Sequence, residues 1–330
     1  MKEIAICLLY VYQLHFVCSS IFNDTFNVIS FCGKLYRQSV ANANNPSRNI
    51  IMAPLYDIPN CKLKNHTESL RFYTRLFEDS GPQFTMGMPR VTEAEMVAWY
   101  ELSLKYPVAV SNIEVIPILT QKMAFKKFML ANDLKQYVPA LYESPSDAEY
   151  PCVEKFTQNK GSGGRGVFIA YNQSHLHSLM KTHKHGQYLL EEFISSDYEF
   201  TLNVVAFKGK PLACNYCNKY AFIRHNKIDR HVIAGVDNGY GEDNTFIDCT
   251  TLPSWETIHL VALAVIGKLK FNGFGFMQFK FKNGTHPIFI EMNGRIDNML
   301  MQHRPNVTLS YIQLWWDEYQ RSKQPHRPPA

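Results

Sequence analysis

Apolar and polar positions follow two different rhythms along this chain. Residues 66 to 79 (HTESLRFYTRLFED) and 92 to 105 (TEAEMVAWYELSLK) repeat apolar side chains every three or four positions, which predicts two amphipathic helices, the second opened by a T-x-x-E capping pattern. The runs at 50 to 55 (IIMAPL) and 106 to 111 (YPVAVS) predict buried strands beside them, so the front of the chain reads as a small α/β layer. A third helical pattern, 118 to 133, carries Lys122, Lys126 and Lys127, and the proline-containing stretch 139 to 149 that follows fits a domain boundary.

Beyond it the period shortens to two. "YPCVEKF", "GVFIAY", "QYLLEEFI", "EFTLNVVAFKGKPLACNY" and "GFMQFKFKNGTHPIFIEMN" all predict strands, mostly antiparallel, and Asn283-Gly284 predicts a hairpin turn. One helix, 254 to 270, interrupts them, and 321 to 330 reads as a polar, proline-rich flexible tail. No repeat of fixed period is visible.

With 46% hydrophobic residues in 330, the chain can bury a large core. The 34 basic and 29 acidic residues leave a charge of only +5 without a block of one sign, so neither nucleic acid nor a membrane surface is expected as the main partner. The eight cysteines are scattered and read mostly as reduced core residues. Cys214 and Cys217 form a C-x-x-C, but no second pair completes a zinc site. The apolar start is expected to be a first strand and helix, with a signal peptide as the alternative that five N-x-S/T triplets leave open, so the expected location is cytoplasmic, alternatively secreted.

"KFTQNKGSGGRGVFIAY" (155 to 171) spaces Gly161, Gly163 and Gly166 as G-x-G-x-x-G. A dinucleotide fingerprint needs a helix after the third glycine, and VFIAY predicts a strand instead. No G-x-x-x-x-G-K-[ST] string and no H-R-D or D-F-G occurs, which removes the P-loop and protein-kinase readings. A strand-to-strand turn remains, either a plain hairpin or a phosphate flap. "PIFIEMNGR" sets Glu291, Asn293 and Arg295 at alternate positions, where a carboxylate and an amide offer the oxygen ligands magnesium takes alongside phosphates. Gln278 on the preceding strand can face the same way. "YLLEEFISSDYEF" offers a hinge at which backbone groups could read a base. Either of the last two stretches, taken alone, is also compatible with solvated surface.

In this order the motifs resemble the ATP-grasp superfamily, in the branch of carbamoyl-phosphate synthetase and biotin carboxylase, over about residues 115 to 300. The resemblance implies an α+β fold, two α+β subdomains clasping ATP behind a small α/β domain. The expected bounds are 1–115 for the front domain, 116–188 for the subdomain with the flap, 189–320 for that with hinge and metal site, and 321–330 for the tail. It implies phosphate contacts from Lys122 and Lys155, and a flap made of Gly161, Ser162, Gly163, Gly164, Arg165, Gly166 and Val167. It further implies an adenine hinge at Glu191, Glu192, Phe193 and Ile194, ribose contact by Glu199, and magnesium or manganese ligands Gln278, Glu291 and Asn293. Arg295 would stabilise the transferred phosphoryl group, and His231, beside Arg230, would face the substrate. The activity implied is ATP-dependent joining of a carboxylate, activated as acyl-phosphate, to an amine. The partners would be small-molecule acids and amines, with a homodimer left open. A silent ATP-binding regulatory protein of the same fold is the alternative. Without a biotin-attachment sequence, an amidotransferase element or a second ATP module, a stand-alone ligase is the form expected.

Overall fold

The computed structural model describes residues 26–30, 50–51, 66–80, 85–88, 93–157, 166–182, 188–224, 231–233, 245–297, 299–300 and 304–324. The apolar start, Gly161 to Arg165, Arg230 and the tail beyond 324 lie outside them.

Three sheets carry the chain. At the front, β1 (Phe26–Ser30) lies between β2 (Ile50–Ile51) and β3 (Thr85–Met88), both parallel to it, with α1 (His66–Ser80) between β2 and β3 in the chain and α2 (Glu93–Ser103) after β3. The two helices match the predicted amphipathic patterns. Their apolar faces meet through Tyr73, Phe77 and Trp99, all about fully buried, with Phe77 stacked on Tyr106.

YPVAVS does not form the strand its composition predicts. Its backbone is held instead by Asn272, whose side-chain N–H donates to Val110 C=O at 2.9 Å and whose main-chain N–H donates to the Ser111 hydroxyl at 2.9 Å. These bonds satisfy the buried main chain without a ladder. Gly273 makes the approach possible: with φ at +114°, a Cβ there would sit 2.4 Å from Ala109 O.

The predicted helix at 118 to 133 is two, α3 (Ile116–Thr120) and α4 (Lys122–Ala131), broken at Gln121, whose φ and ψ are extended. After α4 comes a four-stranded antiparallel sheet in the order β4 (Leu141–Tyr142), β7 (Tyr188–Glu192), β5 (Cys152–Phe156), β6 (Val167–Ala170). Helix α5 (Gln173–Thr182) packs on it over Cys152, Ala170, Leu176 and Leu190.

The largest sheet runs β10 (His231–Ile233), β9 (Lys210–Arg224), β8 (Tyr198–Phe207), β12 (Gly273–Lys282), β13 (His286–Asn293), with β11 (Thr245–Asp248) also on β9. The β12–β13 hairpin turns at Asn283 and Gly284, both with positive φ, as Asn-Gly predicts. One face is apolar throughout. Phe200, Leu202 and Val204 of β8, with Met277, Phe279 and Phe289, pack against α2, α3, α4 and α6 (Trp255–Leu269). The other face is divided along its length. Val205, Phe207 and Phe274 are covered by Ile312, Trp315 and Trp316 of α7 (Pro305–Lys323), whereas Glu199, Thr201, Asn203, Phe276, Gln278 and Lys280 continue the same face without that cover.

The cysteine expectation needs one correction. Cys217 is not reduced but joined to Cys249 in a disulfide between β9 and the turn after β11, because pairing of β11 with β9 brings Asp248 opposite Tyr216 and so sets the two thiols side by side. Cys152 and Cys214 are free and buried.

Candidate functional site

The uncovered part of the large sheet is organised by register. Thr201 pairs with Asn218 of β9 and with Gln278 of β12, and Gln278 pairs with Glu291 of β13, so Asn218, Thr201, Gln278 and Glu291 form one row across four strands. A neighbouring row contains Tyr216, Asn203, Phe276 and Asn293, and another places Tyr220 beside Glu199.

Glu291 reaches this face only because of a bulge. The β12–β13 pairing passes from Phe279 opposite Phe289 to Gln278 opposite Glu291, which leaves Ile290 as the extra residue. Were Ile290 paired in a regular ladder instead, Glu291 would share the face of Phe289 and point into the core.

The carboxylate of Glu291 is then the meeting point of two elements. Lys122 Nζ, at the start of α4, lies 2.9 Å from its Oε2, and Asn293 Nδ2 donates to its Oε1 at 3.1 Å. Burial would raise the Glu291 pKa, but Lys122, with Asn293 and Lys155, outweighs it and the pKa is lowered. Gln278 Nε2 donates to Glu199 at 2.9 Å. Burial pushes the Glu199 pKa up, opposed by Lys280, and burial pushes the Lys280 pKa down, opposed by Glu199.

A second cluster joins the two lobes. Lys155 on β5 is ion-paired with Glu191 on β7, two residues further along the facing strand than its direct neighbour Leu189, and Lys126 Nζ lies 3.1 Å from the other Glu191 oxygen. Lys126 sits one turn after Lys122 and so shares its helix face. All three charges are buried. Burial lowers the Lys126 pKa to about 8 against the pull of Glu191, while for Glu191 burial is overcome by Lys126 and Lys155, which hold it at about 2. Glu192 turns the opposite way, pairing with Lys282 and accepting from Ala140 N at 3.3 Å. The main-chain N–H of Glu192 donates to Ala140 O at 2.8 Å, and the strand ends before Phe193 and Ile194.

Gly166 closes the β5–β6 hairpin with φ at +76°, its carbonyl accepting from Phe156 N, and a Cβ there would strike the Phe156 ring. Val167 opens β6. Arg295 follows β13, its guanidinium 4.8 Å from the centre of the Phe276 ring and donating to Ile296 O at 3.3 Å. His231 begins β10 opposite Arg224, on the edge of the same sheet.

Lys122, Lys155, Glu191, Glu199, Gln278, Glu291, Asn293 and Arg295 thus share one cleft between the four-stranded sheet, α4 and the large sheet. Sequence reasoning had passed over Lys126, Lys280 and a group beyond Arg295. Lys126 was legible as the i+4 neighbour of Lys122, and Lys280 as the strand position two beyond Gln278. In the third group Asp297 accepts from Asn218 Nδ2, from Tyr220 OH at 2.7 Å and from Met299 N at 3.1 Å. Burial raises its pKa against these donors and Arg295.

Two β lobes facing each other across a cleft lined with lysines and carboxylates are arranged as in the ATP-grasp fold, and the likeness to solved structures shows that fold. Solved structures that the chain resembles include ligases, synthetases and a biotin carboxylase domain. D-alanine–D-alanine ligase of Bacillus anthracis is 17% identical with a TM-score of 0.58, over 91% of this chain and 98% of that one. N5-carboxyaminoimidazole synthetase of Staphylococcus aureus, solved with ADP, is 14% identical with a TM-score of 0.58, over 88% and 74%. The biotin carboxylase domain of Hydrogenobacter thermophilus 2-oxoglutarate carboxylase, solved with MgADP, ADP and bicarbonate, is 14% identical with a TM-score of 0.59, over 92% and 71%. Among curated proteins, a Pyrobaculum arsenaticum 5-formaminoimidazole-4-carboxamide-1-(beta)-D-ribofuranosyl 5'-monophosphate synthetase is 28% identical over 113 residues, 34% of this chain, and the match spans 31% of that relative's length. No family model matches the chain.

Among the described residues, no group of three or more His, Cys, Asp or Glu is placed to hold a metal, and no helix is long and apolar enough to cross a membrane.

Proposed function

We propose that this chain is an ATP- and magnesium-dependent ligase that activates a small carboxylate as its acyl-phosphate and joins it to an amine. The carrying observation is the convergence at Glu291, where a lysine from α4 and an amide from β13 meet a carboxylate that register sets opposite Gln278. In this reading Lys122, Lys126 and Lys155 hold the phosphate tail, backbone past the end of β7 at Phe193 and Ile194 reads the base, and Glu199 takes the ribose. The turn from Gly161 to Val167 covers the phosphates, and His231 faces the substrate from the sheet edge.

Gln278, Glu291 and Asn293 fit a magnesium ion: all three supply oxygen, and their single formal charge suits a cation that takes its remaining ligands from phosphates. When bound, the ion neutralises charge building on the phosphate oxygens. The chain's own work is positioning. Lys122, released from Glu291, holds the γ-phosphate in line with the attacking carboxylate oxygen, whose bond to phosphorus forms as the bond to ADP breaks. Arg295, leaving the Phe276 ring, bears on the same oxygens. The neutral amine nitrogen then bonds to the acyl carbon, the acyl–oxygen bond to phosphate breaks, and the proton shed by the nitrogen leaves on the departing phosphate. A closed turn keeps water from the intermediate.

Incubation with ATP, magnesium and pooled amino acids and small acids, followed by ADP release, tests this. Substrate-dependent ADP is expected, lost on the order of 100-fold in Glu291→Ala. Full activity in that variant would sink the metal assignment, and ATP binding without turnover would favour a regulatory module. A cytoplasmic location stays part of the proposal, and the Cys217–Cys249 disulfide counts against it.

A further inference from the structure

Beyond the cations and metal donors the cleft contains a strip of acceptors that the nucleotide reading leaves unused. The Asp297 carboxylate is held from one face of β9 by Asn218 and Tyr220. Asn218 links it to Asn203, whose Nδ2 lies 3.4 Å from Asn218 Oδ1. The Asn203 Oδ1 and the Thr201 hydroxyl oxygen are both buried without a hydrogen-bond partner, in residues 1% and 0% exposed. Buried polar atoms normally find partners, and leaving one unpaired costs about 1–3 kcal/mol. Two such atoms near one carboxylate, on one face of one sheet, define a place that lacks donors.

The place is located by the strand rows. Thr201 stands one strand from Gln278 and Asn218 stands two, so the strip begins roughly 5 to 10 Å from the metal donors. Asn203 shares its row with Phe276, and the guanidinium of Arg295 lies on that ring. Arg295 therefore lies over the strip and is the cation that favours the charged form of Asp297. Movement of Arg295 to a phosphoryl group would uncover the strip and leave Asp297 uncompensated.

We propose that Asp297, Asn203 and Thr201 form the subsite for the ammonium group of the acceptor substrate, which takes the place of Arg295 when Arg295 engages the nucleotide. An ammonium offers three N–H donors to three acceptors and a positive charge to the buried carboxylate. A hydroxy compound or a neutral amide supplies no charge and is refused. The proposal rests on the ligase reading and narrows it: the acceptor is a primary amine that binds as its cation, gives one proton to the Asp297 carboxylate before its nitrogen attacks, and has an affinity that depends on nucleotide.

The test is a thermal-shift panel of single compounds, the amino acids and simple diamines set against hydroxy-acid and N-acetyl counterparts, with magnesium and a non-hydrolysable ATP analogue. At least one ammonium compound is expected to raise Tm beyond the analogue alone, and its neutral counterpart is not. Asp297→Asn should weaken that binding 10- to 100-fold with affinity for the analogue unchanged. Thr201→Val should weaken it several-fold without lowering the Tm of the ligand-free protein, since the hydroxyl it removes is buried and has no partner. Arg295→Met should let the same compound bind without nucleotide. If the analogue binds and no ammonium compound adds a shift that Asp297→Asn and Thr201→Val lose, the inference is overturned and the nucleotide site stands. If the analogue fails to bind, the nucleotide reading falls, and the panel repeated on Arg295→Met decides the ammonium site by itself.

Discussion

Glu191 stands between two lysines with almost no solvent, and that arrangement sets a measurable dependence. Replacing one partner of a buried ion cluster leaves the others uncompensated, at a cost of about 3–5 kcal/mol. Glu191→Gln should lower unfolding stability by about that amount in urea titrations at neutral pH. The sign with pH follows from the lowered pKa. The contribution of Glu191 is present above the unfolded carboxylate value and is lost as pH falls toward about 2, so the gap between wild type and variant should close over that acid range. A gap constant down to pH 2 would refute the ion-pair account. Lys122 supports a different measurement, because its ammonium occupies the oxygen that a divalent cation would use. Lys122→Met should raise magnesium affinity several-fold without nucleotide and weaken ATP binding at least about 10-fold, both by calorimetry. Unchanged magnesium affinity would show that Lys122 and the metal do not compete.

The elements were legible where a single rhythm controls them and obscure where two parts of the chain share the control. Helices α1, α2 and α6 and the β12–β13 turn follow from local patterns alone. YPVAVS reads as a strand because Val and Ala alternate there, yet its hydrogen bonds come from Asn272, more than 160 positions away. The disulfide was hidden for the same reason: 32 residues separate its halves, and only the pairing of β11 with β9 brings them together. Of the site, E-x-N-x-R and the lysines carried chemistry visible as motif, whereas Thr201, Asn203, Asn218 and Tyr220 resemble ordinary strand residues until register sets them in rows. Gly273 gives the matching prediction. Gly273→Ala places a Cβ 2.4 Å from Ala109 O at a positive φ, so a loss above about 3 kcal/mol is expected, because backbone atoms on both sides must shift. A loss under 1 kcal/mol in urea unfolding would mean that the 106–111 segment is not held as described.

Across the whole molecule, the α2–α4 and α6 core and the α7 core clamp the two faces of one sheet, and only the polar half of one face is left to the cleft. The Cys217–Cys249 link fastens β9 to the segment leading into α6, on the side away from that cleft. A loop of about this length stabilises by roughly 3–4 kcal/mol in the chain-entropy account. Cys217→Ala with Cys249→Ala, or reduction of the wild type, should lower the urea midpoint accordingly and leave nucleotide affinity within about twofold. A large loss of nucleotide affinity would instead tie the disulfide to the cleft.

The extra residue at Ile290 has a further implication for how such a chain tolerates change. Glu291 and Asn293 owe their aim to the way the pairing absorbs Ile290, so a slip that straightened the ladder with Ile290 still in place would exchange the hydrophilic and oily sides of the segment at one stroke, whereas loss of Ile290 itself would leave Glu291 opposite Gln278. Sequence drift in the neighbouring phenylalanines can be absorbed by repacking, but a one-residue slip of Glu291 against Gln278 cannot. The alignment of Glu291 with Gln278, more than the identity or even the presence of Ile290, is what descendants of this protein must keep.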